Sequence, residues 1–268
     1  MMRNILTIAA IAVLAIGSTG CEKLKARDNL NKGVQAFKNA DYPGAVNYFQ
    51  KAVELDPSFE TTHLYLASAY MSQYIPGAES EENKRLADQA FKSFQKALEL
   101  DPKNELATAS IASLYFQQKE FEKAKEWNRK LLEINPQNKE AYYTLGVIAY
   151  LDWLGPQREA RAKLNMKPED PGPIKDAKVR EELRAKYMAS LDEGIRNVEK
   201  ALEIDPEYDD AMAYMNLLIR YRADLLDTTE EWKKESEVAD NWIQKALQTK
   251  KIKAERMEKS ASGGITAE

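Results

Sequence analysis

The chain is poor in the residues that most active sites and cross-links require. In 268 residues it has one cysteine and one histidine. A zinc site of the Cys/His type and an internal disulfide are therefore excluded. Imidazole acid–base chemistry would rest on His63 alone, in the stretch THLYLASAY, where a helical histidine reads as a packed side chain. Eleven glycines and ten prolines are too few for a turn-rich all-β fold. No excess of one charge is present either: 39 Lys and Arg stand against 43 Asp and Glu, a net charge of −4. A dedicated nucleic-acid binder needs a basic face to neutralise phosphates, and this composition disfavours one. No Gly-rich phosphate loop, no Gly-x-Ser-x-Gly and no His-Glu-x-x-His occurs. Catalytic residues, cofactor, metal and small-molecule substrate are accordingly all expected to be none.

A long hydrophobic run is also missing, apart from a short one at the start. Arg3 precedes the uncharged stretch Ile5–Ile16. Spanning a bilayer takes roughly 20 apolar residues, so this run fits the core of an export signal and not a membrane helix. Small residues follow from Gly17 to Gly20, then Cys21, then the polar EKLKARDN. The arrangement resembles a bacterial lipoprotein signal, with residues 1–20 removed and Cys21 the lipidated first mature residue. Gly20 fits that pattern; Ser18 stands where an aliphatic residue is usual. Ordinary secretion with a free thiol, and a buried core helix over 5–16, stay open as alternatives. The resemblance implies a periplasm-facing lipoprotein of the cell envelope, attached to the membrane through its acyl chains. Glu22 is not Asp, which favours the outer membrane in bacteria that retain lipoproteins by an Asp rule.

What the chain does have is repetition. One phrase recurs as KAVELDP (51–57), KALELDP (96–102), KLLEINP (130–136) and KALEIDP (200–206), with a fifth copy, KALQTKK (245–251), lacking the proline. Successive prolines lie 45, 34 and 70 residues apart, so 34 is the base unit and some units carry insertions. The first two units also hold small and aromatic residues in fixed order: Gly33, Tyr42, Ala45, Phe49, Ala52 and Pro57 in the first, Ala67, Tyr70, Ala90, Phe94, Ala97 and Pro102 in the second; the later units keep it in part, with Asn128 and Leu131 at two of these places in the third and Gly194 at one in the fourth. The Asp/Asn-Pro step ends a helix, because Pro lacks an N–H and its predecessor avoids the helical region.

This order resembles the tetratricopeptide repeat, two antiparallel helices per unit. The resemblance covers about 26–250 and implies an all-α, right-handed superhelical solenoid of about five helix-turn-helix repeats. Residues 251–268 read as a polar helical cap and a flexible tail. Three insertions fall inside the repeats, near 74–84, 152–187 and 222–234, each between the two helices of a hairpin. Pro156, Pro168, Pro171 and Pro173 mark the second as irregular, with PEDPGP (168–173) unable to be helix and 178–191 returning to it. Thr228 and Glu231 form a capping-box pattern in the third. The insertions are either solvated hairpin extensions or an accessory recognition surface carried by Arg158, Arg161, Lys163 and Lys167. Acidic Asp224, Asp227, Glu230 and Glu231 in the third insertion complement those bases.

In this family the first helix of each hairpin lines the concave side. Matched by position, the exposed ladder is Phe37, Met71, Phe116, Tyr150 and Tyr221, with Tyr143 and Arg220 beside it. Such an apolar ladder suits an extended peptide with apolar anchors, unless an insertion or the N-terminal segment folds over it. The implied function is a non-catalytic protein–protein interaction scaffold of the cell envelope, its partners other envelope proteins or peptides. The alternative is a holdase-like periplasmic chaperone that grips unfolded segments.

Overall fold

The computed structural model of the chain describes residues 21–167 and 169–262; the expected signal segment, Pro168 and the last six residues lie outside the described residues. Among the described residues every regular element is helical. The helices come in pairs: α1 (21–38) with α2 (Tyr42–Leu55), α3 (Glu60–Met71) with α4 (Glu81–Leu100), and α5 (Glu105–Gln117) with α6 (Phe121–Ile134). Then come α7 (Lys139–Lys163) with α8 (Ala177–Ile204), and α9 (Asp209–Arg222) with α10 (Thr229–Ser262) after a short 3-10 turn, Ala223–Leu225. These are the five hairpins that the repeated phrase predicts. The described residues divide into two compact units, one up to Trp127 and one from Asn128 on.

The repeated Asp/Asn-Pro step does more than stop a helix. In each of the four copies the side-chain oxygen accepts the N–H two residues on: Asp56 from Ser58, Asp101 from Lys103, Asn135 from Gln137 and Asp205 from Glu207, at 3.0–3.3 Å. The same four residues' carbonyls accept the N–H three residues on, at 3.1–3.2 Å. A short polar side chain closing a local turn competes well with helix continuation. The next helix then begins with its own cap, as Asn104 accepts from Ala107 and Asn138 from Ala141, both at 2.8 Å. Where no insertion occurs, the turn inside the hairpin is also repeated. Ala40 and Lys119 adopt left-handed φ of 60° and 61°, and the N–H of the following residue returns to the carbonyl five back, Asp41 to Ala36 and Glu120 to Tyr115, at 2.9 Å.

The small residues sit where helices come closest. A Cβ on Gly33 would lie 2.4 Å from the Phe49 ring, and one on Gly146 would lie 2.3 Å from Val198. In the first unit Phe49, Phe94, Ile111 and Leu114 are fully buried. In the second, Trp153, Leu191, Met215, Leu218 and Leu225 are. Burial of such side chains stabilises by roughly 1.5–3 kcal/mol each.

The insertions fold more tightly than either expectation allowed. α7 does not stop at Pro156 but runs through it to Lys163. A proline inside a helix costs about 3 kcal/mol. The turns around it bury Trp153, Gln157, Ala160 and Arg161, which offsets that cost. Beyond α7 the chain is irregular at 164–176, as PEDPGP requires, and Ile174 from this stretch is fully buried in the core of the second unit. α8 then starts at Ala177, capped by Asp176, which accepts from Val179 at 2.9 Å. Thr228 and Glu231 form the reciprocal capping box at 3.0 and 3.2 Å. In the first insertion Asn83 is buried and ties the loop down, bonding both backbone groups of Ile75 and the carbonyl of Ala78, all at 2.8 Å.

Candidate functional site

The expected ladder residues do not all reach solvent. In the first unit Phe37, Met71 and Phe116 are half-buried. Phe37 meets Tyr42 edge-on at 5.2 Å, and Phe116 leans on Phe121 at 5.9 Å. Each ring thus packs on the start of its own hairpin's second helix. In the second unit Tyr150 is buried, which corrects the expectation that it is exposed. The Tyr214 and Tyr221 rings of α9 stand edge-on to it at 5.8 and 5.3 Å. Tyr143, half-buried, lies 5.1 Å from Tyr208 and 5.4 Å from Tyr214. Five tyrosines therefore form a continuous packed cluster in this unit. Burial pushes the hydroxyls of Tyr150 and Tyr208 up to about 12, with Tyr221 adding to the first and Glu140 to the second. Tyr143 is raised further by the same desolvation.

A cleft opens beside this cluster, where the second and third insertions meet. Its volume is about 630 Å³. Five residues singled out in the sequence line it: Arg158 and Arg161 on the extension of α7, Arg220 and Tyr221 at the end of α9, and Asp224 just beyond. The irregular stretch contributes Met166, Glu169 and Asp170, and α10 contributes Trp232.

The floor of the cleft is a buried ion pair. Arg161 Nη1 donates to Asp224 at 3.1 and 3.2 Å, and both side chains are almost fully shielded, at 7% and 6% exposure. Arg161 Nη2 donates to the carbonyls of Lys167 and Asp170, at 2.8 and 2.6 Å. The Asp224 carboxylate also accepts from Gln157 Nε2 at 2.6 Å and from the Trp232 indole N–H at 3.2 Å. Its backbone carbonyl accepts the N–H of Ile174 at 3.0 Å. Gly172 sits hard against this network, since a Cβ there would lie 2.4 Å from Asp224 and 2.3 Å from Trp232. A second clamp lies alongside. Arg184 of α8 donates to the Leu225 carbonyl at 2.6 and 2.8 Å and to Asp227 at 2.5 Å.

The four bases expected to form one accessory surface thus separate. Arg161 is buried, its guanidinium bonded to Asp224 and two carbonyls, which corrects its assignment to an exposed surface. Lys163 is exposed and pairs with Glu159 at 2.7 Å, outside the cleft lining. Lys167 is exposed and serves the turn through its backbone. Only Arg158 faces the cleft with its charge free: among the described residues it makes no hydrogen bond or ion pair. The opposite charge of the two insertions was visible in the sequence, but the roles of Gln157 and Trp232 were not. His63 is buried, its Nε2 2.8 Å from the Pro57 carbonyl. Among the described residues no group of three or more His, Cys, Asp or Glu side chains is placed to hold a metal ion, and no helix is long and apolar enough to cross a membrane. Cys21 is exposed.

Comparison with known proteins agrees with this architecture. Two family models described as tetratricopeptide repeat match residues 30–105 and 85–148. No curated protein matches the chain. Among solved structures, the crystal structure of MamA protein superposes with a TM-score of 0.55 at 20% identity, over 86% of this chain and 94% of that one. MamA 41-end from Desulfovibrio magneticus RS-1 gives 0.56 at 15% identity, over 85% and 96%. YrrB, described as a TPR protein with an unusual peptide-binding site, gives 0.50 at 17% identity, over 83% of this chain and 90% of that one. At these identities the likeness is one of fold, an all-α solenoid of helix-turn-helix repeats. Proteins of this kind are in general non-catalytic interaction modules. The family models show tetratricopeptide repeats over residues 30–148, and the repeated phrases and the five hairpins carry the same helix-turn-helix pattern through the rest of the described chain.

Proposed function

We propose that this chain is a protein–protein interaction scaffold of the bacterial cell envelope, tethered through an acylated Cys21 and holding segments of other envelope proteins. The observation that carries the interaction role is the cleft of the second unit, where Arg220 and Tyr221 from the first helix of one hairpin meet Arg158 from the insertion of another. An open, mixed aromatic and charged cleft on a helical-repeat frame suits capture of a peptide segment. A solved protein of the same fold, YrrB, is described as having a peptide-binding site, which supports this reading. The envelope location rests on the short apolar run ending in Gly20-Cys21. Half-buried Phe37, Met71 and Phe116 favour a second reading, a holdase that grips unfolded chains through apolar contacts.

Two measurements test the proposal. Mass spectrometry of the N-terminal peptide should find residues 1–20 removed and Cys21 carrying acyl chains; a free thiol or a retained segment overturns the lipid anchor. Cross-linking in intact cells should recover a few partners in near-stoichiometric amounts. Many substoichiometric unfolded clients would replace the scaffold with the holdase.

A further inference from the structure

The last hairpin exposes a position that the earlier ones cover. The third residue of the repeated phrase is Val53, Leu98, Leu132 and Leu202 in the first four copies, and each is half-buried. Val53 and Leu98 pack against the core of the first unit and Leu202 against that of the second. The same residue of the fifth copy, Leu247, is 56% exposed. Among the described residues no helix follows α10 to cover it. Leu247 belongs to a longer stripe. Alternate steps of four and three residues from Lys233 lead through Asp240, Leu247 and Lys251 to Glu258, and such steps keep to one face of a helix. All eight positions on this path are exposed. Their charges are antisymmetric about the point midway between Gln244 and Leu247. Lys233 and Glu258 lie equally far from that point with opposite signs, and so do Asp240 and Lys251; Glu237 has Ala254 as its counterpart.

We propose that α10 pairs with α10 of a second copy of this chain, antiparallel, about a two-fold axis that passes between Gln244 and Leu247. In a two-fold contact residue i meets j and j meets i. Lys233 then meets Glu258 twice, Asp240 meets Lys251 twice, and Leu247 packs over Gln244 on both sides of the axis. Charges at such positions set the direction and register of paired helices, and here they select one arrangement. A parallel pair in register sets every charge against itself. Sliding the antiparallel pair by seven residues sets Lys233 against Lys251 in one direction and Asp240 against Glu258 in the other. Arg220 already bonds Asp240, and Glu255 lies 4.0 Å from Lys251, yet both side chains stay mostly exposed and can bond further. Exposed ion pairs contribute little each, so the association is weak and salt-sensitive. It goes beyond the scaffold reading and stands without it. Its effect is to carry two clefts on one body, so that a partner with two binding segments is held by avidity.

Sedimentation velocity of the full chain, kept reduced so that Cys21 forms no disulfide, measures the pairing. The dimer fraction should rise with protein concentration and fall as salt is added. Lys233→Glu and Glu258→Lys should each weaken the dimer about tenfold, because each makes both copies of one pair repulsive. The chain that carries both changes should recover the wild-type dissociation constant. The two positions are 25 residues apart on one helix, about 38 Å and several screening lengths, so they cannot compensate inside a single copy. Leu247→Asp should leave the chain monomeric. All three side chains are exposed, so urea unfolding should stay as in the wild type, which separates loss of pairing from loss of fold. A monomer at every concentration, a dimer indifferent to the single reversals, or a double reversal no tighter than the singles overturns the proposal.

Discussion

Removing one member of the Arg161–Asp224 pair should unfold the second unit far more readily than any surface substitution. Both side chains are shielded from water and the pair joins two insertions that are distant in sequence. Arg161→Met leaves the Asp224 carboxylate buried with only Gln157 and Trp232 as donors. Asp224→Ala leaves Arg161 Nη1 without an acceptor, although Nη2 keeps its two carbonyls. Breaking a buried pair from one side costs about 3–5 kcal/mol, because an uncompensated charge stays in a poorly polarisable interior. For a chain of this size, that corresponds to a fall in Tm of roughly 6–20 °C. The double variant Arg161→Met with Asp224→Leu should cost several kcal/mol less than the sum of the singles, since no charge is then stranded. Urea unfolding followed by tryptophan fluorescence measures all three. Single variants that each cost under about 1 kcal/mol, the value of an exposed pair, would show that water reaches the site and that the insertions are not locked together.

Other expectations follow from particular positions. Lys119→Gly should stabilise by about 0.5–1 kcal/mol in chemical denaturation, since Lys119 holds a left-handed φ of 61° that glycine adopts without strain; a loss of stability would contradict the turn. Gly146→Ala should destabilise by about 1–3 kcal/mol, because its methyl would press into Val198 at 2.3 Å and the Gly194 carbonyl at 3.1 Å; a neutral result would mean that α7 and α8 are not so close. Burial raises Tyr150 and Tyr208 to about 12, above the usual value near 10. Their folded form therefore holds protons that the unfolded chain has released, so the stability they confer is present below pH 10 and is lost as pH rises from about 10 to 12. Absorbance at 295 nm should show a late-ionising fraction among the 13 tyrosines; a single step near pH 10 would refute the burial.

The repeat architecture was legible because the same contacts recur. Gly33, Ala45, Ala52 and their counterparts mark close helix approaches, and four Asp/Asn-Pro steps mark the same turn. A pattern that repeats identifies its own cause. The insertions occur once each, so no period reveals which of their residues turn inward. Ile174 lies in a Pro-rich irregular stretch and is nevertheless core. Pro156 reads locally as a helix end, and packing around Trp153 and Arg161 overrides it. Tyr150 occupies a position that should be exposed by repeat register, but the bulk of Tyr214 and Tyr221 on the next first helix covers it. The complementary charges of the two insertions pointed to their docking. Their depth of burial did not follow from the charges, because it depends on the aromatic and glycine residues packed around the pair, Trp232 and Gly172 among them.

The central claim, that the cleft beside α7 and α9 is where this chain meets its partners, is tested most directly by site-specific photo-cross-linking in the native host. A photoreactive residue is placed at Arg158 in one strain and, as a comparison, at exposed Lys200 on α8, away from the cleft lining, in another. The account predicts one or a few discrete cross-linked species at 158 and none at 200. Cross-links of equal pattern at both positions, or partners captured at 200 and none at 158, would contradict it.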